Sequence, residues 1–323
     1  MVRVQCGDNV SMRLRSMVVA LLLCTGWGRC AMGQNDAALE AQLQTMTAGY
    51  HGKVALFAKD LTTGQTVALN ADTPVQTASV IKLTVLYDAL QQVRAGRVHF
   101  DDKITLTKQD QVQGSGVLMF FDTPLTLTLK DVLTMMVIVS DNTATNLAID
   151  HLGLKNIDDE IVALGLKNTW LYKKVFAPAE GPMPADQTQF GLGKTTPREM
   201  ASVMQRYVDC NLNPPGSTAA KTAEDEQLCG AALHMLKNQF YRDSIPRYLE
   251  TIDSSEKDSA IANKTGALDA VRNDVGVVYA KSGPIVLSLF TYDNKDQSWT
   301  VDNEGEVLMA HLAKTIVDKW AAK

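Results

Sequence analysis

Strand-like segments stand only near the two ends of this 323-residue chain, with a long helical stretch between them. Two apolar-rich runs, 53–60 and 66–70, are joined by the turn signal Thr62-Thr63-Gly64-Gln65. Three more follow late in the sequence: 259–263, then Val275-Gly276-Val277-Val278-Tyr279-Ala280, then Ile285-Val286-Leu287-Ser288-Leu289-Phe290. Lys281-Ser282-Gly283-Pro284 is turn chemistry between the last two. From about 79 to 211 the apolar residues recur at helical period, interrupted by loops. Helices are also expected at about 37–47 and 304–322. The two early strands and the three late ones are expected to make one antiparallel sheet. The fold class is therefore α/β, of the α+β type. It has an antiparallel five-stranded sheet, flanking terminal helices and an all-α lobe from the middle of the chain. One domain is expected over 34–323, its sheet lobe formed by about 34–72 and 240–323 and its helical lobe by about 73–239. A composition 46% hydrophobic and 21% charged supplies core material for it.

Residues 1–33 read differently. Met12-Arg13-Leu14-Arg15 is a basic start, 17–23 is apolar, and Ala31-Met32-Gly33 is a small-x-small site before Gln34. This is the pattern of a secretory signal peptide, with Met1 or Met12 as the start, and its apolar run is too short to span a bilayer. A secreted or periplasmic mature protein is expected. Removing 1–33 takes away four arginines and one aspartate, so the net charge of −5 becomes −8. An acidic chain without a basic run is a poor partner for nucleic acid or an anionic membrane. Cys210 and Cys229 are then the remaining cysteines, and an oxidising exterior favours their pairing as a disulfide. His51, His99, His151, His234 and His311 are scattered, no Cys/His cluster suggests a metal, and no cofactor loop appears. A monomer is expected.

Three motifs occur in order: Ser79-Val80-Ile81-Lys82, Ser140-Asp141-Asn142 and Lys264-Thr265-Gly266. Singly each is common; Ser254-Ser255-Glu256-Lys257 and Lys281-Ser282-Gly283 are second matches to the first and third. Context separates them. Ser79 opens a helical pattern through Ile81, Val85, Leu86, Ala89, Leu90 and Val93, stopped by Gly96. At a helix start it meets free N–H groups and the positive end of the dipole, and Lys82 stands one turn further along the same face. A buried lysine so placed can lose its charge and accept the serine's proton. The Ser254 match is polar throughout and reads as a solvated loop. Ser140-Asp141-Asn142 falls between two apolar helical runs, where its side chains can project into a cleft. Lys264 lies at the end of the strand that begins the late meander, with 267–273 as a short connection, whereas Lys281 lies on a hairpin turn.

The ordered triple resembles the active-site serine enzymes that comprise the class A β-lactamases and penicillin-binding proteins. Thr195-Thr196-Pro197-Arg198-Glu199-Met200 is similar to that family's threonine-rich cap before a long helix, and Asn273-Asp274-Val275-Gly276-Val277 to the strand after its K-T-G. The likeness runs from about residue 52 onward. It implies Ser79 as nucleophile, Lys82 as its base and Ser140 as proton relay to the leaving nitrogen. It implies Asn142, Lys264, Thr265 and Gly266 around the substrate, with the N–H groups of Ala267 and Ser79 as oxyanion donors. The implied substrate is a small β-lactam or a D-Ala-D-Ala-type peptide.

Two departures from the family pattern carry consequences. Its β-lactamases hold a deacylating glutamate in a Glu-x-x-Leu-Asn phrase, which is absent here. The corresponding segment, Val175-Phe176-Ala177-Pro178-Ala179-Glu180-Gly181-Pro182-Met183-Pro184, offers Glu180 without its asparagine companion. Either Glu180 is the deacylating base or it is simply solvated. Arg272, eight residues past Lys264, is the candidate for a substrate carboxylate, or else a surface arginine at a turn. The activity expected is a secreted serine hydrolase that opens β-lactams through an acyl-enzyme on Ser79. The alternatives are a penicillin-binding D,D-peptidase or esterase with slow deacylation, and a non-catalytic β-lactam-binding protein. No GxSxG elbow is present, which disfavours a Ser-His-Asp hydrolase.

Overall fold

In a computed structural model of the protein, the structure describes residues 34–249 and 260–321. The signal-like segment and the Ser254 motif lie outside the described residues.

The two chain ends do meet. Strands β1 (Lys53–Asp60), β2 (Thr66–Leu69), β8 (Ile261–Leu268), β9 (Val271–Ala280) and β10 (Gly283–Tyr292) form one antiparallel sheet in the order β2-β1-β10-β9-β8. The link is β1 against β10, from Lys53 opposite Tyr292 to Asp60 opposite Ile285. The Asp60 carboxylate closes the β1–β2 turn by accepting from the N–H groups of Thr62 and Thr63.

Period-two alternation gives each face of the sheet its own core. Val54, Leu56 and Ala58 of β1, with Ile285, Leu287 and Leu289 of β10, pack against α1 (Ala37–Thr47) and the last helix (Glu304–Ala321). Ala55, Phe57, Val286 and Phe290 face the larger core under the helices. That core is shared by α2 (Lys82–Arg94), α3 (Leu129–Ile138), α4 (Asn142–Leu152), α5 (Leu154–Ala163), α7 (Pro197–Asp209) and α8 (Ala223–Lys237). Thr196 caps α7 by accepting from Glu199 N–H, with Pro197 in the first turn. Cys210 at the end of α7 is bonded to Cys229 within α8.

Three sequence expectations need correction. The helical stretch also holds two small sheets, β3-β7-β6 (Val75–Gln76, Gly193–Thr195, Trp170–Leu171) and β4-β5 (Lys103–Leu106, Leu125–Thr128), whose strands are too short to leave a period-two signal. Lys264 is inside β8, not at its end, and the expected 267–273 connection is a two-residue turn, Asp269–Ala270. Pairing continues through Ala267 opposite Arg272 and Leu268 opposite Val271, so Arg272 is a strand residue rather than a turn residue. Finally, Ser79 lies in a 3₁₀ turn (Ala78–Ile81) that feeds α2, rather than in α2 itself.

Candidate active site

The edge strand β8 lies against the Ser79 turn so closely that it fixes a residue type. A Cβ on Gly266 would stand 2.9 Å from the backbone nitrogen of Ser79 and the carbonyl oxygen of Thr77, and 3.0 Å from the nitrogen of Val80. A glycine there is a packing requirement, and it brings the backbone beside Ala267 up to the start of the turn. The next strand locks the same contact from behind: Asn273 Nδ2 donates to the carbonyls of Gln76 (2.9 Å) and Thr77 (3.1 Å).

Lys82, Ser140 and Lys264 converge in the interior, all buried. Lys82 Nζ donates to Ser140 O (2.7 Å), Ser140 Oγ (3.2 Å) and Asn142 Oδ1 (3.1 Å). Lys264 Nζ donates to the same Ser140 Oγ (2.9 Å) and to Thr265 O (2.7 Å). The Ser140 hydroxyl therefore joins the Nζ atoms of two lysines far apart in the sequence. Among the described residues no hydrogen bond joins Lys82 to Ser79 Oγ. Burial holds Lys82 well below the ordinary lysine range, and the neighbouring Lys264 pushes it the same way, against a smaller opposing pull from Asp141. Lys264 is brought down to about 7, again chiefly by burial, with Asp274 resisting. A neutral amine at Lys82 is a proton acceptor.

The junction carrying Ser140 is held by its neighbour. The buried Asp141 carboxylate accepts from Ala144 N–H (2.8 Å), capping α4, and from the N–H groups of Val117 (2.6 Å) and Leu118 (2.8 Å). Ser140 itself sits at φ +53°, a left-handed conformation that a serine adopts only under constraint. Asn142 Nδ2 donates to Gln113 O.

Ser79, half-buried, lines a cavity of about 320 Å³ together with Ser115, Ser140, Thr265, Gly266 and Ala267. Tyr241, Asp243, Arg272, Trp299 and Glu306 line the same cavity. Arg272 is buried there, not on the surface. Glu180 is elsewhere: it is exposed and lines a different cavity with Asp150, Tyr172, Lys173 and Lys174. Of the residues singled out from sequence, the structure brings Ser79, Ser140, Thr265, Gly266, Ala267 and Arg272 to one cavity. Lys82, Asn142 and Lys264 adjoin it through Ser140, and Glu180 is not brought to it.

Three supporting residues were given no role by the sequence, although Asn273 and Asp274 stand in the phrase that resembles the family. Asn273 is one. Asp274 is another: buried, it accepts from Asn263 Nδ2 and Ile245 N–H beneath Lys264, and burial raises it to about 6. An Asn-Asp pair inside an apolar strand was the available signal, since both types are depleted in strands. The third is Asn146, four residues past Asn142 on α4, which clamps Val175 by donating to its carbonyl (3.0 Å) and accepting from its N–H (2.8 Å). Val175 is followed by Phe176 at φ +57°, so the clamp sets where the 175–184 loop departs.

Comparison with known proteins gives the family and the fold. The family model described as "Beta-lactamase enzyme family" matches residues 38–320. "Beta-lactamase 3" of Bacillus cereus is 24% identical over 272 residues, which is 83% of this chain and 77% of that protein. "Beta-lactamase" of Bacillus licheniformis is 24% identical over 325 residues, 94% of each. Among solved structures, a β-lactamase from Sphaerobacter thermophilus superposes with a TM-score of 0.73 at 27% identity, over 89% of this chain and 98% of that one. PBP-A superposes at 0.72 and 20% identity, over 90% and 98%, and a mutant of it is an acyl-enzyme complex with penicillin G.

Proposed function

The chain belongs to the β-lactamase enzyme family, and from that premise we propose that it is an exported, monomeric serine hydrolase that opens β-lactams by acylation of Ser79. The observation that carries this reading is the Ser140 hydroxyl within hydrogen-bond reach of both Lys82 and Lys264, at the wall of the cavity that Ser79 lines.

The steps follow from the groups present. Neutral Lys82 takes the proton of Ser79 Oγ–H as the oxygen attacks the lactam carbonyl; a catalytic contact that is open without substrate tightens when substrate is bound. The oxyanion is received by the backbone N–H groups of Ser79 and Ala267, which the Gly266 contact draws together. The lactam C–N bond breaks, and the departing nitrogen takes the proton of Ser140 Oγ–H. Lys82, at 3.2 Å from that oxygen, returns the proton it accepted, so the amine ends neutral. Lys264 and Thr265 meet the substrate's carboxylate, and Asn142 its amide. The product of this half is an ester on Ser79.

The release half is where a second reading has its own support. Hydrolysis of the ester needs a water and a base, and the exposed Glu180 lies outside the Ser79 cavity. That favours a penicillin-binding behaviour, D,D-peptidase-like, in which β-lactam opening is quick relative to hydrolysis of the ester. Export is supported by the signal-like N-terminus and by the Cys210–Cys229 disulfide.

The deciding experiment is mass spectrometry of the mature protein mixed with benzylpenicillin and sampled over time. A penicilloyl adduct on Ser79 that outlasts removal of free penicillin is expected. An adduct on another residue, or no adduct with no hydrolysis, overturns the proposal.

A further inference from the structure

The turn that carries Ser79 is strained one residue before the serine. Ala78, buried, sits at φ +44°, a left-handed conformation that costs a non-glycine residue energy and persists only where its surroundings enforce it. Two strands hold the segment ahead of it. From β7, Gly193 O accepts from both the N–H (3.0 Å) and the hydroxyl (3.2 Å) of Thr77. From β9 comes Asn273, whose Nδ2 donates to Gln76 O and Thr77 O. Asn273 stands directly opposite Gly266 on β8, and directly opposite residues of antiparallel strands share a face. Because Gly266 has no side chain, the carboxamide has room to cross β8 and reach the segment beyond. That carboxamide is not the cheapest filler of the gap. Its Oδ1 is buried with no hydrogen-bond partner among the described residues. An unmatched buried acceptor is a cost that an apolar side chain of the same shape would avoid. What asparagine adds is two N–H donors on one nitrogen, which here meet two successive carbonyls.

We propose that Asn273 is a positioning residue for acylation: by gripping the two carbonyls ahead of Ala78, it holds the strained turn so that Ser79 stays in register with the backbone of Gly266 and Ala267. The inference rests on the reading of Ser79 as an acyl-transfer site and deepens it. The register matters because Ser79 supplies both the nucleophile and, with Ala267, an oxyanion donor. Those donors act on charge that develops only in the transition state, so a small displacement slows the chemical step without weakening the initial complex. The competing account is that Asn273 is only a joint between β9 and the turn. On that account its loss lowers the amount of folded protein and leaves the folded site as fast as before.

The test follows formation of the Ser79 adduct by rapid quench and mass spectrometry across benzylpenicillin concentrations, in the parent and in Asn273→Leu. The amplitude reports how much protein is folded, the saturating rate constant what the folded site does, and the half-saturating concentration the initial complex. In Asn273→Leu the rate constant is expected to fall on the order of a hundredfold, the scale of a lost oxyanion donor, with half-saturation within about threefold of the parent. Asn273→Asp is of equal size, but turns an oxygen toward the two carbonyl oxygens, and should fall at least as far. A rate constant within about threefold of the parent in Asn273→Leu, with only the amplitude reduced, overturns the inference and leaves the joint account. A loss confined to half-saturation overturns it too. Should Asn273→Leu fail to fold, Asn273→Thr serves, being β-branched for a strand and able to donate once. A fall on the order of tenfold in its rate constant is expected, and no fall overturns the inference. A second readout needs no ligand. Val80 N–H donates to Thr77 O (3.2 Å), and its hydrogen exchange should quicken at least about tenfold in Asn273→Leu while amides within α2 keep the parent rates. Absence of any Ser79 adduct in the parent counts against the acylation reading alone. Unchanged Val80 exchange shows that Asn273 does not hold the turn, and overturns the inference whatever the penicillin result.

Discussion

The wall of the Ser79 cavity and the neighbouring 175–184 loop are built to different standards of constraint. On one side, the Ser79 turn, α4 and β8 are tied by contacts that leave each other no room. Gly266 admits no Cβ, Asn273 bonds two successive carbonyls, Asp141 pins a loop by two N–H groups, and Ser140 is held at positive φ between two lysines. On the other, the 175–184 segment is clamped once, at Val175, and then runs on with Phe176 and Glu180 exposed. The difference matches the two halves of the proposed reaction. Acylation requires several charged groups at fixed separations in a dry site, which is the demand the constrained region would meet.

The largest effect that can break the comparison lies at Ser79. Ser79→Ala is expected to abolish the penicillin adduct while the far-ultraviolet circular dichroism and melting temperature stay near the parent's, because Ser79 is only half-buried and the change removes a single hydroxyl. An adduct persisting in Ser79→Ala would falsify the nucleophile's assignment. Next comes Lys264. Lys264→Ala removes the cation beside Ser140 and Thr265, and acylation should slow by well over tenfold, that is by more than about 1.4 kcal/mol in transition-state stabilisation. A loss below about 1 kcal/mol, or an equal loss in Lys281→Ala on the β9–β10 turn, would remove Lys264 from the site.

Lys264 also sharpens the comparison through pH. Its folded value is lowered to about 7, so it is a cation below that pH and neutral above it. Lys82 must instead be neutral, and its direction of shift is also downward. Acylation efficiency reports the free enzyme, so it should fall on the acid side as Lys82 takes a proton and on the alkaline side as Lys264 loses its own. The alkaline limb should begin near 7 for substrates bearing a carboxylate and vanish in Lys264→Ala. A limb that is unchanged in that variant belongs to another group. For stability the sign is opposite to that of a stabilising charge. An unfolded Lys264 binds its proton up to the ordinary lysine range, so between about 7 and that range the unfolded state holds more protons and stability rises with pH.

Much of this architecture was legible in the sequence, and the illegible parts have physical reasons. The sheet was readable because its strands alternate or are long apolar runs bracketed by turn residues, and the last helix because Val307 to Val317 keep helical period. Ser79, Lys82, Ser140 and Lys264 were legible as candidates because three short motifs stand in order along the chain. The hairpin at Asp269–Ala270 was missed because that dipeptide lacks the glycine that marks a two-residue turn. The surface alternative for Arg272 came from the same error, since a residue on a turn is open to solvent, whereas Arg272 on β9 is buried. Glu306 left no sequence signal: its partner is Arg272, on a strand laid down by tertiary pairing, and no spacing rule joins the two.

A smaller effect, on stability rather than chemistry, concerns what stands behind the constrained wall. Cys210 ends α7, Cys229 lies in α8, and α8 packs on β8, so the disulfide holds the support of the Lys264 strand. The bond spans a sequence separation of 19 residues, and a loop of about that length should be worth roughly 3 kcal/mol by chain entropy. Cys210→Ala/Cys229→Ala is expected to lower the urea midpoint accordingly while leaving the m-value and the Ser79 adduct in place. Two free thiols in the unreduced, denatured parent would refute the pairing in the mature protein.

The smallest expected effect is the most informative about the loosely held side. Glu180 is exposed, three prolines stand within four residues of it, and its cavity is shared with the Asp150–Lys174 ion pair rather than with Ser79. A carboxylate in that position cannot hold a water against the ester carbonyl, because a general base must come within hydrogen-bond reach of the proton it removes, directly or through one water. Glu180→Gln should therefore leave the rate of adduct formation and the rate of adduct loss as they are in the parent. The measurement is the decay of the penicilloyl mass after free penicillin is removed, made on both proteins side by side. If the parent's adduct decays within the mixing time and Glu180→Gln traps it, Glu180 does reach the cleft when substrate is bound, and the two sides are more alike than their contacts suggest. If decay is rapid in both, the base is another group, and Asp243 and Glu306 become the carboxylates to replace first, since they line the Ser79 cavity.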